Sequence, residues 1–231
     1  MTLGLGKTFP NFAAKTTIGD IHFHDWLGDS WGILFSHPAD FTPVCTTELA
    51  RVLQLMPEFR KRNVKPIALS CDSVESHLRW INDIKFVAGN TSEGFPYPII
   101  EDSDRRLCVQ LGMLDEDELD SIGIPLPARA VFIVDSNKKY RLSILYPATT
   151  GRNFTEILRT VEAMQMTDRN KVATPADWMR PMLKEEGNTE AGKCDKCQLC
   201  WVRVWRVSLL CACAEGINEA CYLEHLPLKY R

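Results

Sequence analysis

Three short and almost wholly apolar runs, Trp31-Gly32-Ile33-Leu34-Phe35-Ser36, Ile67-Ala68-Leu69-Ser70 and Ala130-Val131-Phe132-Ile133-Val134, set the tightest limit on how this chain folds. Runs this short without polar alternation read as strands covered on both faces of a sheet. The stretches between them carry helical periodicity instead. Thr46 to Arg62 places Leu49, Val52, Leu53, Met56 and Phe59 on one stripe, and Val74 to Val87 does the same with Leu78, Ile81 and Ile84. Strands alternating with helices predict an α/β fold with a largely parallel centre. Tyr140 to Tyr146 follows the turn-like Asp135-Ser136-Asn137-Lys138 and predicts an antiparallel hairpin at the end of the sheet. Phe9 to Phe23 reads as a second hairpin turning at Gly19-Asp20. Gly151-Arg152-Asn153 opens a helix whose stripe is Phe154, Ile157, Leu158, Val161 and Met164.

The composition is that of an ordinary globular protein, with 45% hydrophobic and 25% charged residues among 231. Its 27 Lys+Arg against 30 Asp+Glu leave a formal charge of -3, which favours neither nucleic acid nor an anionic membrane surface. No run approaches the roughly 18 apolar residues of a spanning helix, and Met1 to Lys7 is not the start of a secretory leader. The expectation is a soluble, cytoplasmic protein without integral membrane contact. Cysteine is distributed unevenly. Cys45, Cys71 and Cys108 are scattered, while Cys194, Cys197, Cys200, Cys211, Cys213 and Cys221 crowd the end of the chain. In a reducing compartment three scattered thiols point to packing or catalysis rather than bridging.

One of the three stands where chemistry is expected. Phe35 to Glu48 is a proline-punctuated loop that leaves a buried strand and runs into a helix, with Cys45 in the first helical turn. A helix N-terminus offers unpaired N–H groups and roughly half a positive charge, which favours thiolate over thiol. Without such help a free thiol is only a few per cent ionised at neutral pH. Cys71, at a strand end, and Cys108, on an apolar helix face, read as core or semi-buried thiols.

Pro38-x-x-x-Thr42-x-x-Cys45 resembles the active-site motif of the peroxiredoxins, and the flanks from Trp31 to Glu48 are similar to the one-cysteine, peroxiredoxin-6 class of that family. The likeness continues through Ile67 to Leu78, Leu111 to Asp115, Ala128 to Phe132, Leu142 to Asn153 and Val172 to Trp178, covering about residues 5 to 180. It implies a thioredoxin-like α/β fold, a central mixed sheet flanked by helices with a small C-terminal extension. The corresponding division is a peroxidase domain over 1–168, a linker and the start of the C-terminal region over 169–193, and a Cys-rich tail over 194–231. The activity implied is thiol-dependent reduction of hydrogen peroxide and organic hydroperoxides, including those of phospholipids.

By the same resemblance Cys45 attacks the terminal peroxide oxygen and becomes a sulfenic acid as water or an alcohol leaves. Thr42 would hydrogen-bond the thiolate and the incoming peroxide, and Arg129 would favour the thiolate and steady the developing charge. Pro38 would shield the pocket from water, with His37 and Glu48 lining or orienting it. Two-cysteine relatives carry a Val-Cys-Pro near the C-terminus, and none occurs here. A one-cysteine cycle is therefore implied, without a prosthetic cofactor, in which an external thiol such as glutathione reduces Cys45. A glutathione S-transferase partner and a homodimer are implied too, as is a lysosomal or other organelle fraction beside the cytoplasm.

Two features stand outside that cycle. Gly28-Asp29-Ser30-Trp31-Gly32 satisfies G-x-S-x-G, which in hydrolases marks a strand-to-helix elbow, but here it precedes a strand. The class is credited with a calcium-independent phospholipase A2 activity, and the resemblance assigns it to Ser30 and His24. The acidic third member aligns with Asn137, with Asp135 two residues earlier; Asn orients a histidine without stabilising its cation. In the tail, Cys194, Cys197, Cys200, Cys211 and Cys213 offer thiolate ligands for zinc, although Cys211-x-Cys213 is too tight for a regular second knuckle. The charged, proline-containing end of the class is not recognisable beyond about Pro181. The tail is open to three readings: an alternative splice or frame-shifted end, a zinc- or copper-binding appendage, or a source of resolving thiols for Cys45. The rival function is a metal-binding or redox-sensing module in which the tail is the working part. Trp201 to Val207 alternates like a strand.

Overall fold

The apolar runs become adjacent central strands. In chain order the elements are β1 (Ala13–Thr16), β2 (Gly19–His22), α1 (Phe23–Leu27), β3 (Trp31–Ser36), α2 (Pro43–Gln54), α3 (Met56–Lys61), β4 (Val64–Ser70), α4 (Val74–Val87), β5 (Ile99–Glu101), α5 (Arg106–Leu111), β6 (Leu114–Leu119), β7 (Pro125–Pro127), β8 (Arg129–Val134), β9 (Tyr140–Tyr146), α6 (Phe154–Asn170), β10 (Trp201–Val204) and β11 (Val207–Leu210). This computed structural model describes residues 3–179 and the backbone of 201–204 and 207–210. Residues 1–154 form one compact unit and residues 155–231 another.

Seven strands of the first unit make a sheet in the order β2-β1-β5-β4-β3-β8-β9. β4 runs parallel to β3 and β5, while β8 is antiparallel to β3 and β9, and β1 is antiparallel to β2 and β5. The sheet is thus mixed, with its parallel part confined to three strands. All six residues of β3 and all six of β8 are buried, as their unbroken apolar pattern requires. Alternation along the strands sends Leu34, Ile67, Leu69 and Phe132 to one face, where they meet Phe23 and Leu27 of α1 and Leu107 and Leu111 of α5. Phe35 points to the other face, 6.1 Å from Tyr97, whose hydroxyl donates to the Leu49 carbonyl of α2 at 2.7 Å.

Three expectations are corrected. The first hairpin pairs Thr16 with Gly19 and so turns at Thr17-Ile18, because the Thr16 hydroxyl donates to the Gly19 carbonyl and accepts the Ile18 N–H. The helix expected over Thr46 to Arg62 is two, α2 and α3, parted at Leu55 (φ -89°, ψ 2°). Pro57 sits in the first turn of α3, where its missing N–H costs nothing but prevents a continuous helix. α4 buries His77, Trp80 and Ile84 and leaves Leu78 half exposed. Burying Leu78 would gain roughly 1.5–3 kcal/mol of transfer energy. Turning the helix that way would strip a buried carboxylate, Asp40, of its His77 partner, at a larger cost.

In the second unit α6 begins directly after Asn153 and buries Ile157 and Val161 of its predicted stripe. The following segment folds back on it, with Arg159 Nη1 donating to the Trp178 carbonyl at 3.0 Å. The strand expected over Trp201 to Val207 is instead an antiparallel pair, β10 and β11, with Val204 opposite Val207. The tail cysteines Cys194, Cys197, Cys200, Cys211, Cys213 and Cys221 lie outside the described residues. Among the described residues no helix is long and apolar enough to cross a membrane.

Candidate active site

Cys45 is the third residue of α2, directly after the Pro43-Val44 start that follows Thr42 as N-cap. Its thiol is fully buried. β3 delivers the loop to this point, and β8 starts beside it, because the Ser36 hydroxyl donates to the Ala128 carbonyl and accepts the Ala130 N–H, clamping the two strand ends together. Arg129, first residue of β8 and 3% exposed, therefore stands over the helix start, with Nη1 donating to Cys45 Sγ at 3.3 Å. The guanidinium is held from behind by the Ala148 carbonyl, which accepts from Nε at 2.8 Å and Nη2 at 2.6 Å. The Thr42 hydroxyl donates to the Ala39 carbonyl at 3.0 Å, which leaves its oxygen lone pairs for another donor. Pro38 is buried in the same loop.

Glu48, one turn along α2 from Cys45, fixes the arginine. Its Oε2 accepts from Arg129 Nη1 at 2.9 Å and from Arg152 Nη2 at 2.7 Å, and its Oε1 accepts from Arg152 Nε and from the Arg152 backbone N–H. Burial pushes the carboxyl up, but Arg152 and then Arg129 outweigh it and hold Glu48 below the ordinary carboxylate range. Arg152 is the residue that sequence reasoning missed. It lies in the turn before α6, packs over the Phe35 ring at 5.4 Å, and donates to the Ala130 carbonyl. Only the Gly151-Arg152 turn hinted at it, since Glu48 is 104 residues away.

His37 and Asp40 brace the loop from the other side. His37 Nε2 donates to Asp40 Oδ1 at 2.9 Å, while Asp40 Oδ2 accepts from His77 Nδ1 at 2.7 Å and from the Ser76 hydroxyl at 2.8 Å. The Asp40 N–H donates to Asp72. So many restraints on one residue explain how its neighbour Phe41 is held at φ 58°, a conformation that costs a bulky side chain roughly 1–3 kcal/mol. Burial lowers the pKa of His37 despite Asp40, and the two histidines hold Asp40 well below its usual range despite its own burial. Acid lability follows. The unfolded chain takes up a proton on His37 near its ordinary value of 6.5, and the folded chain does so only at lower pH, so stability falls as pH drops below 6.5. The expected slope is up to about 1.4 kcal/mol per pH unit. Glu48 and Asp40, depressed from 4.5 and 3.8, add a second loss below those values. Urea unfolding between pH 7 and 5 checks this: a His37→Gln protein should show a flatter slope, and an equal slope would clear His37 of the effect.

A family model described as the AhpC/TSA family matches residues 5–143. Peroxiredoxin-6 of Gallus gallus is 65% identical over 175 residues, which cover 75% of this chain and 78% of that protein. The chain belongs to the peroxiredoxins. Peroxiredoxin-6 of Rattus norvegicus is 60% identical over 190 residues, 79% of this chain and 85% of the rat protein. Among solved structures, a mutant of the peroxiredoxin 6 of Arenicola marina aligns with TM-score 0.75 and 60% identity over 77% of this chain and 80% of its own. A yeast mitochondrial 1-Cys peroxiredoxin, solved for its thiol resolving mechanism via glutathione/thioredoxin systems, aligns with TM-score 0.71 and 48% identity over 77% of this chain and 84% of its own. This peroxiredoxin is accordingly a thiol-dependent peroxidase with the thioredoxin-like fold. A second model, the C-terminal domain of 1-Cys peroxiredoxin, matches residues 163–191. The family likeness therefore runs past Pro181, where it was expected to fade, and stops just short of Cys194.

The side chains of the other predicted pair hydrogen-bond other groups in this peroxiredoxin. The Ser30 hydroxyl donates to Asn63 Oδ1 at 2.9 Å, and His24 Nε2 donates to the Phe9 carbonyl at 2.8 Å. Asn137 uses its backbone N–H on Asp135, which also binds Arg141. Ser30 serves the turn into β3, where Gly32 lies so close to Leu27 that an added Cβ would stand 2.9 Å from its Cδ1.

Proposed function

We propose that this peroxiredoxin reduces hydrogen peroxide and organic hydroperoxides, those of phospholipids included, at Cys45, with glutathione as the thiol that restores it. The observation carrying this reading is the 3.3 Å approach of the Arg129 guanidinium to a sulfur in the first turn of α2. The Cys45 thiolate attacks the terminal oxygen of the peroxide. The O–O bond breaks, sulfur keeps the terminal oxygen with its proton as a hydroxyl, and the RO⁻ group takes from solvent the proton that the thiol released on ionising and leaves as an alcohol or water. Arg129 and the helix N–H groups face the negative charge spread over sulfur and the two oxygens. Thr42, whose own proton is engaged on Ala39, accepts the peroxide O–H and aligns it. One glutathione then displaces the hydroxyl as water to form a mixed disulfide, and a second releases Cys45 as glutathione disulfide. The yeast neighbour supports glutathione as reductant. The resemblance to the one-cysteine class supports a homodimer, a glutathione S-transferase partner and a cytoplasmic location.

Turnover of hydrogen peroxide with glutathione as sole reductant tests the reading. The wild-type protein should consume many equivalents. Arg129→Met should lower the rate of Cys45 oxidation by roughly 10²-fold, assayed where circular dichroism shows the variant folded. A single-equivalent burst would remove glutathione, and an unchanged oxidation rate would remove the role of Arg129.

A further inference from the structure

A second pair of thiols lies away from Cys45. Cys71 sits in the bend just past β4 and Cys108 in α5, with their Sγ atoms 3.9 Å apart and both free. Cys108 is fully buried in the core cluster, and Cys71 is half-buried against it. Asp102, 2% exposed, stands beside them, but its Oδ1 accepts the Leu107 N–H at 2.9 Å and its Oδ2 the Cys108 N–H at 2.8 Å. The carboxylate is thus engaged as the anchor of the α5 start, and the two sulfurs are left facing each other. Two facing thiols have one characteristic reaction, oxidation to a disulfide. Closing the bond needs the sulfurs to approach by roughly 1.9 Å. Cys71 lies just beyond the last residue of β4, in a bend outside the strand ladder.

We infer that Cys71 and Cys108 are a second redox site of this protein, which closes to an intramolecular disulfide when a hydroperoxide oxidises it and reopens with an external thiol. Cys71, the more accessible sulfur, attacks the terminal peroxide oxygen; the O–O bond breaks, an alcohol or water leaves, and Cys71 becomes a sulfenic acid. Cys108 sulfur then attacks Cys71 sulfur. The S–S bond forms, the S–O bond breaks, and the hydroxyl leaves as water with the Cys108 proton, which the adjacent Asp102 carboxylate is placed to carry. The hydrogen bond to Cys71, burial and Asp102 together push the Cys108 pKa up, so Cys108 keeps its proton until the sulfenic acid is in place. In sum, one hydroperoxide and two thiols give one disulfide, one alcohol and one water. Two external thiols reverse it, becoming a disulfide themselves. The pair stores two reducing equivalents that do not pass through Cys45.

The test uses the full chain as Cys45→Ser, which separates this site from the peroxidatic one. After a few equivalents of hydrogen peroxide and alkylation of the remaining thiols, tryptic peptides are mapped by mass spectrometry. The peptides carrying Cys71 and Cys108 should be recovered joined, two hydrogens lighter than their sum, as most of the Cys71 present, and should separate after dithiothreitol. Cys108→Ala in the same background should leave Cys71 oxidised or alkylated but never in that link. Recovery of both residues as alkylated thiols, or of Cys71 bridged to a tail cysteine instead, would overturn the inference.

Discussion

A Cys45→Ser protein should consume hydroperoxide at least about 10³-fold more slowly than the wild type, keeping only the slow turnover of the Cys71–Cys108 pair, while its unfolding free energy moves by only about 1–2 kcal/mol. The reason is chemical and local. Serine fills nearly the volume of cysteine in the same enclosed position and its oxygen can accept from Arg129, so the first turn of α2 keeps its partners. A hydroxyl, however, is neither ionised at neutral pH nor able to take up the peroxide oxygen. Peroxide consumption with a thiol reductant measures the loss, and intact mass shows whether near-stoichiometric peroxide adds one oxygen to the wild type and none at position 45 of the variant. A rate in the variant close to that of the wild type would move the main activity to another thiol.

The largest stability effect is expected at Glu48→Ala, roughly 3–5 kcal/mol, which for a protein of this size lowers Tm by roughly 6–20 °C. The ion pairs themselves are not the argument, since desolvation offsets much of their attraction. What matters is what stays behind. Arg129 and Arg152 side chains are at most 4% exposed, and without Glu48 two like charges remain enclosed, with backbone carbonyls and, for Arg129, the Cys45 sulfur as their hydrogen-bond partners. Glu48→Gln, which keeps one carbonyl oxygen in place, should lose less. Thermal unfolding followed by far-ultraviolet circular dichroism decides it, and a cost below about 1 kcal/mol would show that the cluster relaxes or hydrates when opened.

Much of the framework is legible in the residues. β3, β9 and α4 span the residues their patterns mark, because an unbroken apolar run, a turn-bounded segment of mixed apolar and polar residues and an amphipathic stretch are each local signals. What escaped was non-local. β5 is three residues, Ile99–Glu101, too short for any period to show. The buried face of α4 is chosen by hydrogen bonds from His77 to Asp40 and from Trp80 to Thr46, partners distant in sequence that hydrophobicity does not reveal. The same holds at the site. The setting of Cys45 can be read from its own loop, but its contact with Arg129 spans 84 residues and was expected only through family resemblance. Arg152 had neither signal.

The complete enclosure of the Cys45 sulfur has a kinetic meaning. Peroxide is small enough to enter through minor fluctuations of the loop, whereas a bulkier external thiol must bring its own sulfur into line with the sulfenic sulfur at bonding distance. The two half-cycles therefore face different doors. Oxidation can take place with the sulfur enclosed, while reduction requires the oxidised side chain to come out of that enclosure. The left-handed Phe41 and the Asp40 restraints that hold it set the latch on that second door.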